Sequence, residues 1–231
     1  MKTIGLIGGM SWESSAEYYR LINTRARDRI GGHAVPPSLM LTLNFAEIEA
    51  LQHAQDWQTL GRKMATAAGQ LQAGGADIIV LCTNTMHKVA AEIEAAVSIP
   101  FLHIADAMGE ALVAAGVSRA GLLGTKFSME DGFYHRHLSE KYGLTVETPS
   151  DTDRSFIHEA IYRELCLGVV REETRRHACD IIRRLIAQGA NGIILGCTEL
   201  GMLLMPADSP VPLFDSTRLH AAAALEWALK E

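Results

Sequence analysis

Short aliphatic runs alternate along this chain with longer amphipathic, alanine-rich stretches. The runs Thr3–Ile7, Ser38–Leu43, Asp77–Leu81, Phe101–His103, Arg119–Leu123, Leu144–Glu147, Gly192–Leu195 and Val211–Phe214 read as strands. Between them, Trp57–Ala73, Lys88–Ala96 and Glu172–Ala187 carry apolar residues at helical spacing, and Arg218–Leu229 reads as a last helix returning to the first domain. Near-continuous apolar strands separated by helical segments are the pattern of parallel sheets buried under helices, an α/β fold.

The pattern repeats. Gly5-Leu-Ile-Gly-Gly9 resembles Gly121-Leu-Leu-Gly-Thr125, and Leu71 through Thr85 aligns without gaps to Leu185 through Glu199. The two pairs have nearly equal offsets, which predicts duplication of a whole domain. Residues 1–100 plus 211–231 are expected to form the N-terminal domain and 101–210 the C-terminal one. Cys82 then aligns with Gly196, and Thr83 with Cys197. A step of one residue re-aims a side chain, so Cys82 is not expected to point where Cys197 points.

With 231 residues, 48% of them hydrophobic, the chain can fill one large core or two small ones. The net charge of −6 comes without blocks of like charge, which argues against a nucleic-acid partner. No apolar run is long enough to span a bilayer, and the N-terminal segment lacks the features of a signal peptide, so a cytoplasmic protein without a membrane partner is expected. Cys82, Cys166, Cys179 and Cys197 occur singly, with no Cys-x-x-Cys pair, and are expected to be free thiols.

Ligands of parallel α/β sheets bind at the carboxyl ends of strands. Thr83-Asn-Thr85 and Cys197-Thr-Glu199 both fall there. Free N–H groups at a following helix start can hold a carboxylate and are expected to lower the pKa of Cys197 toward neutrality.

Gly8-Gly-Met-Ser-Trp-Glu-Ser-Ser15, the Asn84-Thr85…His87 element and Gly196-Cys-Thr-Glu-Leu200 together resemble the aspartate/glutamate racemase family, end to end. The resemblance implies two pseudo-symmetric domains, each a parallel sheet flanked by helices, with the active site in the cleft between them. It implies a small-molecule amino-acid substrate, independence from pyridoxal phosphate or any other cofactor, no metal, and often a homodimer. The family's usual catalytic pair is two cysteines, one taking the α-proton and the other returning a proton to the opposite face. Cys197 matches the second. Thr83 stands at the first, and a hydroxyl is a poor base at neutral pH without a strong neighbour. The expected mechanism therefore has Cys197 abstracting from the L-enantiomer and Thr83 serving the opposite face, with turnover favouring L kinetically.

By the same resemblance Met10, Ser11, Gln52, Asn84, Thr85, Cys166, Thr198 and Glu199 are candidate substrate-binding residues. Cationic residues of the family at the places of Gln52 and Cys166 are missing here, which weakens charge-assisted binding of a distal carboxylate. Aspartate and glutamate remain expected, with neutral side chains such as homoserine open; Arg163 and Lys126 are possible compensating cations.

Other motifs have plainer readings. Gly5–Gly9 lacks the spacing of a dinucleotide loop and is expected to serve strand–helix packing. His135 and His137 point apart on a helix and are expected on a solvated face rather than on a metal. Cys179 is expected in the core, and Asp215-Ser-Thr217 reads as a helix cap. For His87 a supporting role at the site and a packing role stay open. Glu199 is open between orienting the thiol, binding an ammonium group and capping a helix. A single-cysteine decarboxylase or maleate-type isomerase, and a non-catalytic amino-acid-binding module, are the competing functions.

Overall fold

The computed structural model describes residues 1–230; Glu231, at the end of the expected N-terminal domain, lies outside them. The chain forms two compact units, one of Met1–Ile104 with the chain from His220 onward, the other of Ala105–Leu219.

In the first unit the order is β1 (Ile4–Gly8), α1 (Trp12–Ile30), β2 (Ser38–Thr42), α2 (Phe45–His53), α3 (Trp57–Ala73), β3 (Ile78–Leu81), a 3-10 turn (Thr85–Val89), α4 (Ala90–Ala96) and β4 (Phe101–Leu102). All strand pairs are parallel, in the order β2-β1-β3-β4. The alternation along β3 sorts its side chains to two cores. Ile79 and Leu81 pack with Leu60, Met64 and Leu71 of α3. Ile78, Val80 and Cys82 pack with Tyr18, Leu21 and Ile22 of α1 and with Ala221, Ala224 and Ala228. Those alanines belong to the last helix, whose Ala228 carbonyl also accepts from the Lys2 N–H at 2.9 Å.

In the second unit α5 (Ile104–Ala114), whose first residue still belongs to the first unit, is followed by β5 (Arg119–Gly124), α6 (Lys126–Glu130), α7 (Phe133–Tyr142), β6 (Thr145–Glu147), α8 (Asp151–Arg163), a 3-10 turn (Leu165–Leu167), α9 (Glu172–Ala187), β7 (Gly192–Gly196), α10 (Leu200–Leu203), β8 (Leu213–Asp215) and the start of α11 (Ser216–Leu229), whose residues from His220 onward belong to the first unit. The sheet is again parallel, in the order β6-β5-β7-β8. One face of α9 (Ala178, Cys179, Ile181, Ile182 and Leu185) packs with Ile157 and Ile161 of α8 on Ile193 and Leu195 of β7.

The repeat is thus structural, and its register is legible. Gly5 pairs with Ile79 and Ile7 with Leu81. In the second sheet the repeat-related Gly121 pairs with Ile193 and Leu123 with Leu195. Continuing one residue puts Cys82 level with Gly196, and two residues puts Thr83 level with Cys197. Only glycine fits the former place in the second unit: a Cβ on Gly196 would meet Leu122 Cδ1 at 2.7 Å and the Leu123 carbonyl oxygen at 3.0 Å.

Three expectations are corrected. The segment 211–219 belongs to the second unit, not the first, because β8 is hydrogen-bonded to β7; residues 101–104 belong to the first, because β4 pairs with β3. The helix expected from Lys88 starts as a 3-10 turn at Thr85 and becomes α-helical only at Ala90. His137 is half-buried and paired rather than on a freely solvated face. Its Nε2 donates to Asp106 Oδ1 at 2.5 Å, beside Lys141 Nζ at 2.7 Å and Tyr142 Oη at 3.1 Å. His135 is half-buried. No cluster of three or more His, Cys, Asp or Glu suited to a metal occurs among the described residues, and none of their helices is long and apolar enough to cross a membrane.

Candidate active site

The carboxyl ends of β1 and β3 lie side by side because these strands are parallel neighbours. The loop after β1 passes through Gly9, whose φ of +90° and whose approach to Leu43 exclude a side chain. Met10 and Ser11 follow, both buried. Ser11 caps α1, its Oγ accepting from the Ser14 N–H at 3.3 Å. Ser15 pins the same loop from within the helix: its Oγ accepts from the Gly9 N–H at 2.8 Å and donates to the Ser11 carbonyl at 2.9 Å. Ser15 is not among the candidate residues named from the sequence, although its i, i+4 spacing from Ser11 is a visible signal.

After β3 the chain turns tightly, with the Thr83 N–H bonded to the Leu81 carbonyl at 2.9 Å. Thr83, Asn84 and Thr85 are each at least nine-tenths buried. Gln52 reaches this loop from α2, its Nε2 donating to Met86 Sδ at 3.2 Å, and its buried Oε1 makes no hydrogen bond. Met10, Ser11, Thr83, Asn84 and Thr85 therefore share the adjoining strand ends of one sheet, and Gln52 abuts the turn that follows. Cys82 is not among them. It is fully buried between β3 and α1, and burial pushes its thiol far above the ordinary range.

In the second unit Cys197, Thr198 and Glu199 follow β7 directly. Cys197 is half-buried as a residue, and its Sγ donates to Glu199 Oε2 at 3.0 Å. Cys166, in the 3-10 turn after α8, is half-buried on the same core. The Cys197 pKa is raised well above that of a free thiol. Burial is the largest cause, followed by the Glu199 charge and then by Cys166. This overturns the expected acidic thiol. The helix that follows, α10, has only four residues and offers little dipole, whereas a carboxylate at hydrogen-bond distance favours the protonated sulfur. Glu199 thus orients the thiol, one of the roles left open for it. Arg163 offers no compensating charge here: it pairs with Glu159 through a side chain that is 79% exposed.

Each unit, then, ends its third strand in a polar turn: Thr83 in one, Cys197 held by a carboxylate in the other. The two duplicated parallel α/β units thus place a hydroxyl and a thiol at equivalent strand ends. Comparison with known proteins supplies the class. Residues 7–224 match the Asp/Glu/Hydantoin racemase family. A candidate Asp/Glu racemase from Yersinia pestis superposes with a TM-score of 0.93 at 49% identity, each chain covered completely. An aspartate racemase homologue from Pyrococcus horikoshii OT3 superposes at 0.87 and 32% identity, again over both whole chains. The broad specificity amino-acid racemase RacX of Bacillus subtilis (strain 168) is 25% identical over 177 residues, 75% of this chain and 74% of that protein. The chain belongs to the Asp/Glu/hydantoin racemase family and is an isomerase, an amino-acid racemase.

Proposed function

We propose that this racemase works without a cofactor through Cys197 and Thr83, interconverting the L- and D-forms of aspartate or glutamate and accepting neutral side chains such as homoserine. The observation that carries this reading is the matched register of the two sheets, which gives Thr83 and Cys197 equivalent places at the ends of β3 and β7. Racemisation needs one group for each face of the α-carbon, and Thr83 and Cys197 are assigned to the two faces.

Cys197 rests as a thiol. It becomes a base only when its proton is drawn off, and Glu199 Oε2 already accepts that hydrogen bond. The α-ammonium of an arriving amino acid brings positive charge that opposes this rise and lowers the thiol pKa. The thiolate takes the α-proton of the L-enantiomer, and the Thr83 hydroxyl relays a proton from a water molecule to the opposite face, taking one proton as it gives one; the hydroxide left is neutralised by the proton drawn from Cys197 onto Glu199. Met10, Ser11, Asn84, Thr85 and Thr198 supply polar and backbone groups for the α-carboxylate and ammonium. Gln52 and Cys166 occupy the places from which the family commonly reads a distal carboxylate, so their neutrality supports the broader substrate range.

Enantiomers have equal free energy, so the equilibrium constant is one and kcat/KM is the same in both directions. The preference for L lies in a higher kcat offset by a higher KM. The family resemblance also carries a homodimer.

The test is α-proton exchange in deuterated buffer, followed by NMR, with the L- and D-forms of aspartate, glutamate, homoserine and several neutral amino acids. Saturated exchange faster from L, and absent in Cys197→Ser, is the expected result. No exchange with any of these amino acids, accompanied by release of carbon dioxide from a malonate or isomerisation of maleate, would replace this reading with the decarboxylase or isomerase alternative.

A further inference from the structure

Three histidines, His87, His103 and His220, are buried together in the first unit, at 2%, 9% and 0% exposure. The His87 ring centroid lies 4.7 Å from that of His103 and 5.8 Å from that of His220. The hydrogen bonds of His87 fix its state. Nδ1 lies 2.7 Å from the Thr83 carbonyl oxygen, and the Ile104 N–H donates to Nε2 at 3.1 Å. A carbonyl only accepts and a peptide N–H only donates. Nδ1 must therefore carry the proton and Nε2 the lone pair. His220 is held in the opposite tautomer by the same logic. Its Nε2 donates to the Leu102 carbonyl at 2.9 Å, leaving Nδ1 to accept from Tyr18 Oη at 2.8 Å.

These two hydrogen-bond partners of the His87 ring bear on the site. One is the backbone of Thr83. The other is the first residue of α5, where the chain leaves the first unit. A single neutral imidazole thus ties the turn that presents the Thr83 hydroxyl to the fixed start of a helix.

We propose that His87 is a positioning residue for Thr83, setting the orientation of the turn through the Thr83 carbonyl; this rests on the assignment of Thr83 to one face of the α-carbon. The side chain does not touch the reacting atoms. It acts by holding the hydroxyl-bearing residue in the one arrangement that the second proton transfer needs, where small misplacements are costly.

Two substitutions each keep one arm of the tie. His87→Asn keeps an amide donor for the carbonyl one turn back, as Asn23 Nδ2 donates to the Tyr19 carbonyl at 2.7 Å. His87→Gln supplies an acceptor for the Ile104 N–H and leaves the Thr83 carbonyl without its donor. His87→Gln is expected to lower kcat about tenfold with KM little changed, and His87→Asn to recover about half of the wild-type kcat. In the wild type, long-range proton–nitrogen NMR on histidine-labelled protein is expected to show His87 as the single Nδ1–H tautomer at neutral pH. Equal losses in the two variants, losses that follow their melting temperatures, or a mixed or protonated His87 would each overturn the proposal. Thr83→Ala in the same assay separates the two claims. If it turns over like wild type, the assignment of Thr83 falls; if it is impaired while His87→Gln is not, the role of His87 falls.

Discussion

Glu199→Gln is the perturbation that most directly probes the thiol. The carboxylate oxygen lies 3.0 Å from Cys197 Sγ, and a thiolate formed there would face a negative charge at that distance. Two like unit charges 3 Å apart at an effective dielectric constant near 20 repel by about 5 kcal/mol. The residue as a whole is only half-buried, so solvent near it relaxes part of this; a quarter to a half of it corresponds to about a ten- to hundredfold change in thiolate population. Glutamine keeps the shape of the side chain and removes the charge. The variant should therefore react faster with iodoacetamide at neutral pH, by about ten- to hundredfold at Cys197, while racemising more slowly because the acceptor of the thiol proton is weakened. Alkylation is read by mass spectrometry of the peptide containing Cys197, which separates it from Cys166. Alkylation that is unchanged or slower in Glu199→Gln would refute the claim that this carboxylate keeps the sulfur protonated.

Thr83→Cys should raise the saturated rate from the D-enantiomer, read by chiral chromatography, because a thiol is a far stronger acid than a hydroxyl; no change would count against the register that equates Thr83 with Cys197. Gly196→Ala forces a methyl to within 3.0 Å of the Leu123 backbone and against Leu122, and should cost about 1–3 kcal/mol in urea unfolding, with an unchanged m-value. The Asp106 carboxyl is held well below the usual carboxylate range by His137, Lys141 and Tyr142 against the opposing effect of burial. A depressed carboxyl contributes stability that is present above its unfolded pKa of about 3.9 and lost as pH falls below it. Wild type should therefore lose more of its urea midpoint between about pH 5 and pH 3 than Asp106→Asn does, and parallel losses would show that this network adds nothing.

Much of this protein is local enough to be read from the chain. All eight expected strands form, within one or two residues of their expected limits; the inner strands β1, β3, β5 and β7 are buried on both faces and so must be apolar along their length. The helices Trp57–Ala73 and Glu172–Ala187 form with the expected limits, and Asp215 caps the last one, its Oδ1 accepting from the Thr217 N–H at 2.9 Å. The duplication, and with it the equivalence of Thr83 and Cys197, is also carried by sequence, since two copies of one strand–turn unit keep their glycines where a side chain would collide. What remained for the tertiary structure was whatever depends on which segments meet. Nothing local in Leu213–Asp215 says that it pairs with β7 and so belongs to the second unit. The same holds for the thiol: the turn after β7 suggested an acidic cysteine, but its protonation is decided by burial and by a carboxylate that the fold turns back onto it. His87 shows the limit most clearly. Its four-residue spacing from Thr83 is visible in the sequence, whereas its second partner, the Ile104 N–H, is brought to the ring only by folding, and that long-range bond is what fixes its tautomer.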